Sequence, residues 1–407
     1  MKLLRNKNTE LNGPVVFQLP SSKSLSNRAL IIRALTETRF TLENLSEADD
    51  TRHLLQLIDH PAAVEFCGAG GTTLRFLLAV RAAQNHSSLL SGSERLQQRP
   101  LAPLVDALRS LGADIEYVQQ EGFAPVQLNG GVLSWADLKI NAEISSQFIT
   151  ALLLIGPAVS GGLRLSLEGV PVSSSYIRMT VELMRYFGVE VSVGEKVLVV
   201  PQSKYQPREY RVSADWSAAA FAFAFAALMP GVEIFLPGLK VDDGQGDAVL
   251  LHWMRDWGVS SEVLDDGLKI FGAGIPVHAC SLNMIDHPDL AQAFAVMAAV
   301  VGRELHLSGL STLPLKETDR LLALKTELEK AGASVLITTD SLSVMKGVEV
   351  SAISGQTFET YEDHRMVMAL SLLASTGQEL TLSDIRPVSK SFPGFFTQLE
   401  LLGYSLA

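Results

Sequence analysis

The chain has 407 residues, 47% of them hydrophobic and 19% charged, with 33 Lys plus Arg against 44 Asp plus Glu for a formal net charge of -11. That length suits two cores better than one, and the composition excludes a disordered chain. The acidic balance argues against a general nucleic-acid or anionic-membrane surface, so any anion site must be a local basic pocket. Two cysteines, Cys67 and Cys280, are too few for a disulfide framework, and no Cys and His cluster has zinc spacing. A reducing, cytoplasmic setting and a site with no metal are therefore expected.

Met1 to Gly13 carries charges but no apolar run, so no signal peptide is read there. LPSSKSLSNRALIIRAL, residues 19–35, puts Lys23, Ser24, Ser26, Asn27 and Arg28 at the start of an apolar helix. A Ser-rich cap with a solvated Lys and Arg is the plain alternative. GAGGTTLRF, residues 68–76, sets glycines before a helix, where a phosphate could approach the backbone. It is neither a GxGxxG nor a Walker sequence, and Arg75 reads as a surface residue. In RLQQRP, residues 95–100, Arg95 and Arg99 precede a Pro-initiated helix, against the preference of the helix dipole, which suggests an anion. ISSQF (144–148) and VSSSY (172–176) offer hydroxyls and an amide suited to a polyhydroxyl or phosphate ligand, or to simple caps. Residues 217–229 form the longest apolar stretch, too short to span a bilayer and expected as a core helix. PLKETDRLLALKTEL (314–328) crowds Lys316, Glu317, Asp319 and Arg320 into the first turns of a helix, and a solvated charge cluster would look the same. In YEDHRMVMALSLLA (361–374), Asp363, His364 and Arg365 lead into an apolar run, and Asp363 is the expected partner of Arg365. Lys390 precedes Phe392 and Pro393 in VSKSFPGFF, residues 388–396.

A longer rhythm underlies these motifs. An amphipathic helix, a Gly and a strand-like run recur at Gly112, Gly188, Gly258, Gly332 and Gly403, spaced 76, 70, 74 and 71 residues apart. A Gly after a helix is a C-cap signal, and a fixed period signals a repeated supersecondary unit. A degenerate sixth copy is expected at residues 51–66, where Pro61 replaces the Gly. Each unit mixes helices and strands, so the class is α/β or α+β. A second, strongly apolar helix type alternates with the first, at residues 70–80, 145–156, 215–228, 289–301 and 363–374. These read as buried helices whose N-termini could converge on an anion.

In their order, LPSSKSLSNRAL, GTTLRF, RLQQRP, SSQF, VSSSY, HPDLA, LKETDR, EDHRM and SKSFP make the chain resemble the 5-enolpyruvylshikimate-3-phosphate synthase family of enolpyruvyl transferases over nearly its whole length. The resemblance implies a two-domain inverse α/β barrel of six βαβαββ repeats, three per domain, closing over an interdomain cleft. One domain would be discontinuous, residues 1–19 plus 214–407, carrying Asp289, Glu317, Arg365 and Lys390; residues 20–213 would form the other, carrying Lys23, Arg28, Arg99 and Ser145. By resemblance, shikimate 3-phosphate is held by Lys23, Ser24, Arg28, Ser145, Ser146, Gln147, Ser173, Tyr176, Asp289, Thr312 and Lys316. Phosphoenolpyruvate is held by Lys23, Gly71, Arg99, Gln147, Arg320, Arg365 and Lys390. The implied catalytic set is Asp289 as base at the substrate hydroxyl, Glu317 as acid and base at C3, Lys23 near the reacting centre, and His364 orienting the phosphoenolpyruvate end. The same resemblance implies no cofactor, a monomer, no nucleic-acid or membrane partner, and aromatic amino acid (chorismate) biosynthesis.

Some positions depart from the commonest family pattern: Ala69 for Asn, Phe76 for Pro, Thr312 for Asn, and a shorter segment between Leu57 and Gly68. Gly71 is retained, which implies sensitivity to glyphosate. The alternatives are UDP-N-acetylglucosamine 1-carboxyvinyltransferase and an inactive ligand-binding homologue. The first carries a reactive Cys in the loop before the R-P helix, and residues 91–100 here contain none.

Overall fold

The computed structural model describes residues 1–5, 13–276 and 278–407, so most of the N-terminal stretch read above lies outside the described residues. The chain forms two compact units, Met1–Pro20 with Ser213–Ala407, and Ser21–Val212.

One repeat shows how the rest are built. Strand Cys280–Asn283 runs parallel to Leu305–Ser308, which pairs antiparallel with Leu342–Lys346, itself antiparallel to Ser334–Ile337. Helix Ala291–Val301 separates the first two strands and helix Arg320–Lys330 the second and third. The sheet order is thus first, second, fourth, third, and among the described residues four other four-stranded sheets repeat it. The C-terminal repeat takes its fourth strand, Lys2–Arg5, from the chain's start.

The sixth sheet differs. It is two-stranded, Leu42–Glu43 parallel to Tyr210–Arg211, and belongs with helices Lys23–Ala34 and Asp49–Asp59. After Asp59 the chain passes directly into Val64–Phe66 of the next repeat, so among the described residues this unit lacks the closing hairpin. Between Leu57 and Gly68 the chain holds only the end of this helix and the strand Val64–Phe66. A buried Arg81–Glu65 ion pair links this unit to the next repeat. The Arg81 Nη2 donates to the Glu65 Oε1 at 2.6 Å and to the Leu57 carbonyl at 2.6 Å, and the neighbouring Gln84 Nε2 donates to the Ala34 carbonyl at 3.1 Å. Two helix ends, a third helix and a strand are thereby joined.

The five periodic glycines all have positive φ, between 70° and 111°. At Gly258 the requirement is also spatial, since a Cβ there would stand 1.9 Å from the Gly274 carbonyl oxygen. The helix of the degenerate repeat ends instead at His60 with φ -132° and no left-handed residue.

Each unit buries three helices. Ala291–Val301 packs on both Trp216–Leu228 and His364–Ser371, while Lys23–Ala34, Gly71–Ala83 and Ser146–Ile155 pack on one another. Trp216–Leu228 buries every residue except Ser217 and Leu228, as a helix apolar all round must. Strands such as Leu163–Glu168 alternate buried and open positions, so each sheet turns one face to the helices. No helix among the described residues is long and apolar enough to cross a membrane.

Candidate active site

In the discontinuous unit, the charged motifs gather at the N-terminal ends of two buried helices. Asp289 lies in the turn Pro288–Leu290 that leads into Ala291–Val301, and Asp363 caps His364–Ser371, accepting the Arg365 N–H at 2.8 Å. Between them sits Arg320, 1% exposed. Its Nε and Nη2 donate to the Asp363 carboxylate at 2.8 and 3.2 Å, its Nη1 to the Asp289 Oδ1 at 3.0 Å, and its Nη2 to the Glu317 Oε2 at 2.9 Å. The Lys316 Nζ is 3.5 Å from the Asp289 Oδ1 and the Arg365 Nη2 is 3.4 Å from its Oδ2. The Arg365 Nη1 also donates to the Asp289 carbonyl at 2.9 Å.

These contacts define the electrostatics. Burial alone would raise the Asp289 carboxyl, but Arg365, Lys316 and Arg320, with His364, outweigh it and hold the group well below the usual carboxylate range. Burial alone would lower Arg320, and the Asp363, Glu317 and Asp289 carboxylates reverse this. His364 is buried, its Nδ1 3.9 Å from the Asp363 Oδ1. The Lys390 Nζ donates to the Glu362 carbonyl at 2.9 Å, one residue before Asp363. Tyr361 and Glu362 both have left-handed φ, 54° and 53°, although neither is Gly. The turn is held by the Tyr361 hydroxyl, which donates to the buried Glu327 Oε1 at 2.7 Å.

In the other unit the central feature is Arg28, 4% exposed, whose partners are neutral. Its Nε donates to the Thr180 Oγ1 at 2.8 Å, its Nη1 to the Ser24 carbonyl at 2.9 Å, and its Nη2 to the Tyr176 carbonyl at 3.2 Å and the Thr150 Oγ1 at 3.4 Å. Burial lowers this guanidinium to about 10, opposed by Tyr176, so it stays charged at neutral pH. Among the described residues no carboxylate pairs with it, and a desolvated cation in that state favours an anionic ligand. Lys23 opens its helix with Nζ 3.1 Å from the Asp50 Oδ2. Ser145 caps Ser146–Ile155 by accepting the Gln147 N–H at 3.3 Å. Ser173 has φ 55° and makes no side-chain cap bond at the start of Ser174–Tyr186. Arg99 is buried, and its guanidinium lies where a Gly71 Cβ would come within 2.6–2.9 Å of it.

The family profile described as EPSP synthase (3-phosphoshikimate 1-carboxyvinyltransferase) matches residues 5–60 and 55–399. A 3-phosphoshikimate 1-carboxyvinyltransferase of Bacteroides fragilis strain YCH46 is 39% identical over 392 residues, covering 96% of this chain and 95% of that protein. The chain belongs to the EPSP synthase family. A protein of the same name from Shewanella piezotolerans is 34% identical, covering 97% of each chain. The EPSP synthase structure from Acinetobacter baumannii shares the fold, with a TM-score of 0.77 at 22% identity and 100% of both chains covered. The enolpyruvyl transferase NikO from Streptomyces tendae shares it too, with a TM-score of 0.73 at 15% identity and 99% of this chain and 97% of that one covered.

Among EPSP synthase motifs, LKETDR and EDHRM are brought together with Asp289 as described, but not in the expected pairing. Asp363 takes Arg320, and the Arg365 guanidinium turns to Asp289 instead. The cluster at residues 316–320 is no solvated helix start either. The helix begins at Arg320, capped by Asp319, and Lys316 and Glu317 precede it in an extended turn. Thr312, in the place of the commoner Asn, is buried with no hydrogen-bond partner for its hydroxyl. Two residues passed over in the sequence stand beside these groups, Asp50 as the partner of Lys23 and Glu327 with Tyr361, and Arg75, expected on the surface, is instead buried at 4% exposure and bonded to Gln147. An Arg inside the apolar run TTLRFLLAV was the available signal, because such a residue must find acceptors.

Proposed function

We propose that this chain is a 3-phosphoshikimate 1-carboxyvinyltransferase, transferring the enolpyruvyl group of phosphoenolpyruvate to the 5-hydroxyl of shikimate 3-phosphate. The observation that carries the reading is the Asp289 carboxylate held ionised by Lys316, Arg320 and Arg365, beside Glu317. Arg28, a buried cation with neutral protein partners, supports the phosphate-bearing substrate.

Two anionic reactants repel each other, by about 4 kcal/mol for unit charges 4 Å apart at an effective dielectric near 20. Lys23, Arg99, Arg320, Arg365 and Lys390 offset that repulsion around phosphoenolpyruvate, and planar Arg suits carboxylate and phosphate. Ser24, Arg28, Ser145, Ser146, Gln147, Ser173, Tyr176, Thr312 and Lys316 hold shikimate 3-phosphate, and Gln147 and Gly71 also face phosphoenolpyruvate. When Lys316, Arg320 and Arg365 engage ligand oxygens, their pull on Asp289 weakens and its basicity rises.

The 5-hydroxyl oxygen then attacks C2 of phosphoenolpyruvate, its proton passing to Asp289, with Lys23 near the reacting centre. Glu317, which must enter this step as the protonated acid with its second oxygen bearing the proton, delivers that proton to C3 in the same addition. In the elimination the C2–O bond to phosphate breaks and the departing phosphate takes up the proton Asp289 had accepted, while Glu317 recovers a C3 proton and the double bond re-forms, so both carboxyl groups return to their starting states. Arg320 fixes one Glu317 oxygen, so the carboxylate's orientation is set before the proton moves. His364 orients the phosphoenolpyruvate end. We place the enzyme in the cytoplasm as a monomer, working on two small anions without cofactor, metal, nucleic acid or membrane.

The experiment is phosphate release from phosphoenolpyruvate with shikimate 3-phosphate or UDP-N-acetylglucosamine as acceptor. Release with the first alone is expected. Release only with the nucleotide sugar, or tight binding of shikimate 3-phosphate without turnover, would overturn the assignment.

A further inference from the structure

Arg75 lies near the start of the buried helix Gly71–Ala83 and is 4% exposed. Its Nη1 donates to the Gln147 Oε1 at 2.5 Å and its Nη2 to the Pro100 carbonyl at 2.9 Å. Its guanidinium stacks 4.9 Å from the Phe148 ring centroid. Gln147 and Phe148 open the helix Ser146–Ile155, and Pro100 directly follows Arg99. Arg99 in turn lies against Gly71, the first residue of the helix that carries Arg75. One guanidinium therefore ties together two helix starts and the backbone that positions Arg99.

The chemistry of the contact fixes more than position. A guanidinium has donors and no acceptor, so the Gln147 atom facing Arg75 must be the carbonyl oxygen. The amide can then offer only its NH2 elsewhere, and among the described residues no protein acceptor takes it. A half-buried Gln held this way turns its carbonyl toward Arg75 and its NH2 away from it, which favours an oxygen acceptor such as a carboxylate, phosphate or ether oxygen on that side. A neutral Gln left unheld could turn over and present its carbonyl to an anion.

We propose that Arg75 is a positioning residue that sets specificity for phosphoenolpyruvate. It locks Gln147 as a donor and, through the Pro100 carbonyl, holds Arg99 in place. It makes no ligand contact itself in this account, which rests on the enolpyruvyl transfer proposed above. Lys could not replace it, because a single ammonium cannot span acceptors on two segments as a planar fork does.

The test is a kinetic cycle at saturating shikimate 3-phosphate, using the wild type, Arg75→Lys, Gln147→Ala and the double variant. Wild-type turnover measures the functional reading by itself, so its failure is separate from failure of the present proposal. With turnover established, Arg75→Lys should raise KM for phosphoenolpyruvate by about tenfold, the scale of one charge-assisted hydrogen bond, with a smaller change in kcat. Its melting temperature should match the wild type. In the Gln147→Ala background the same substitution should add less than half of that effect on a logarithmic scale, the remainder acting through Arg99. An unchanged KM in Arg75→Lys, or the full effect undiminished in the Gln147→Ala background, would overturn the proposal. Should Arg75→Lys melt early, Arg75→Gln, which keeps a planar donor, is read by the same cycle.

Discussion

At the scale of single residues, Gly71 shows how a backbone choice sets the position of a buried Arg. A methyl there would stand 2.6–2.9 Å from the Arg99 guanidinium atoms, so Gly71→Ala must displace Arg99. We expect this variant to raise KM for phosphoenolpyruvate and weaken inhibition by glyphosate, each by about tenfold, because a misplacement of an ångström is costly at a reacting centre. Inhibition curves superimposable on the wild type would contradict it. The sequence offered the charged residues but not their partners. Asp363 and Arg320 are 43 positions apart, and Arg75 and Gln147 are 72 apart. Nothing local distinguishes Asp363 facing Arg365 from Asp363 facing Arg320. Only packing of the two helix starts decides it.

At the scale of elements, the Tyr361–Glu362 turn carries strain for a purpose. Two consecutive residues that are not Gly hold left-handed φ, at a cost of about 1–2 kcal/mol each. The turn delivers the Glu362 carbonyl to Lys390 and Asp363 to Arg320. Helix Arg320–Lys330 grips it at two points, through Arg320 and, two turns later, through Glu327. Tyr361→Phe leaves the buried Glu327 carboxylate short of a donor and should destabilise the fold by about 1–3 kcal/mol in chemical denaturation. An unchanged midpoint and slope would show that the hydroxyl does not hold the turn. Repeat glycines were legible because left-handed C-caps demand them. The missing hairpin of the sixth repeat was only hinted at by Pro61 and the short segment after Leu57, since a deletion leaves no residues to read. The buried Arg81–Glu65 pair beside it joins groups 16 positions apart and has no sequence signature.

For the whole molecule, acid should act through the same cluster to which we assign the chemistry. In the folded chain Asp289 titrates well below its ordinary 3.8, so the unfolded chain binds that proton first as the pH falls. The stability it contributes is complete above 3.8 and is lost as the pH falls through the folded-state value. Melting temperatures followed into that acid range should drop more steeply for the wild type than for Asp289→Asn, and parallel curves would contradict the electrostatic account. The net charge of -11 makes the local concentration of cations the more telling: Lys316, Arg320, Arg365 and Lys390 gather within one unit, and Lys23, Arg28, Arg75 and Arg99 within the other.

The most direct test of the central claim is phosphate release from phosphoenolpyruvate, driven by shikimate 3-phosphate, in Glu317→Gln against the wild type. Turnover should fall by about a hundred- to ten-thousand-fold while both substrates still bind, the range for removing a positioned acid–base group. Wild-type turnover in Glu317→Gln would remove that carboxylate from the reaction and the mechanism with it.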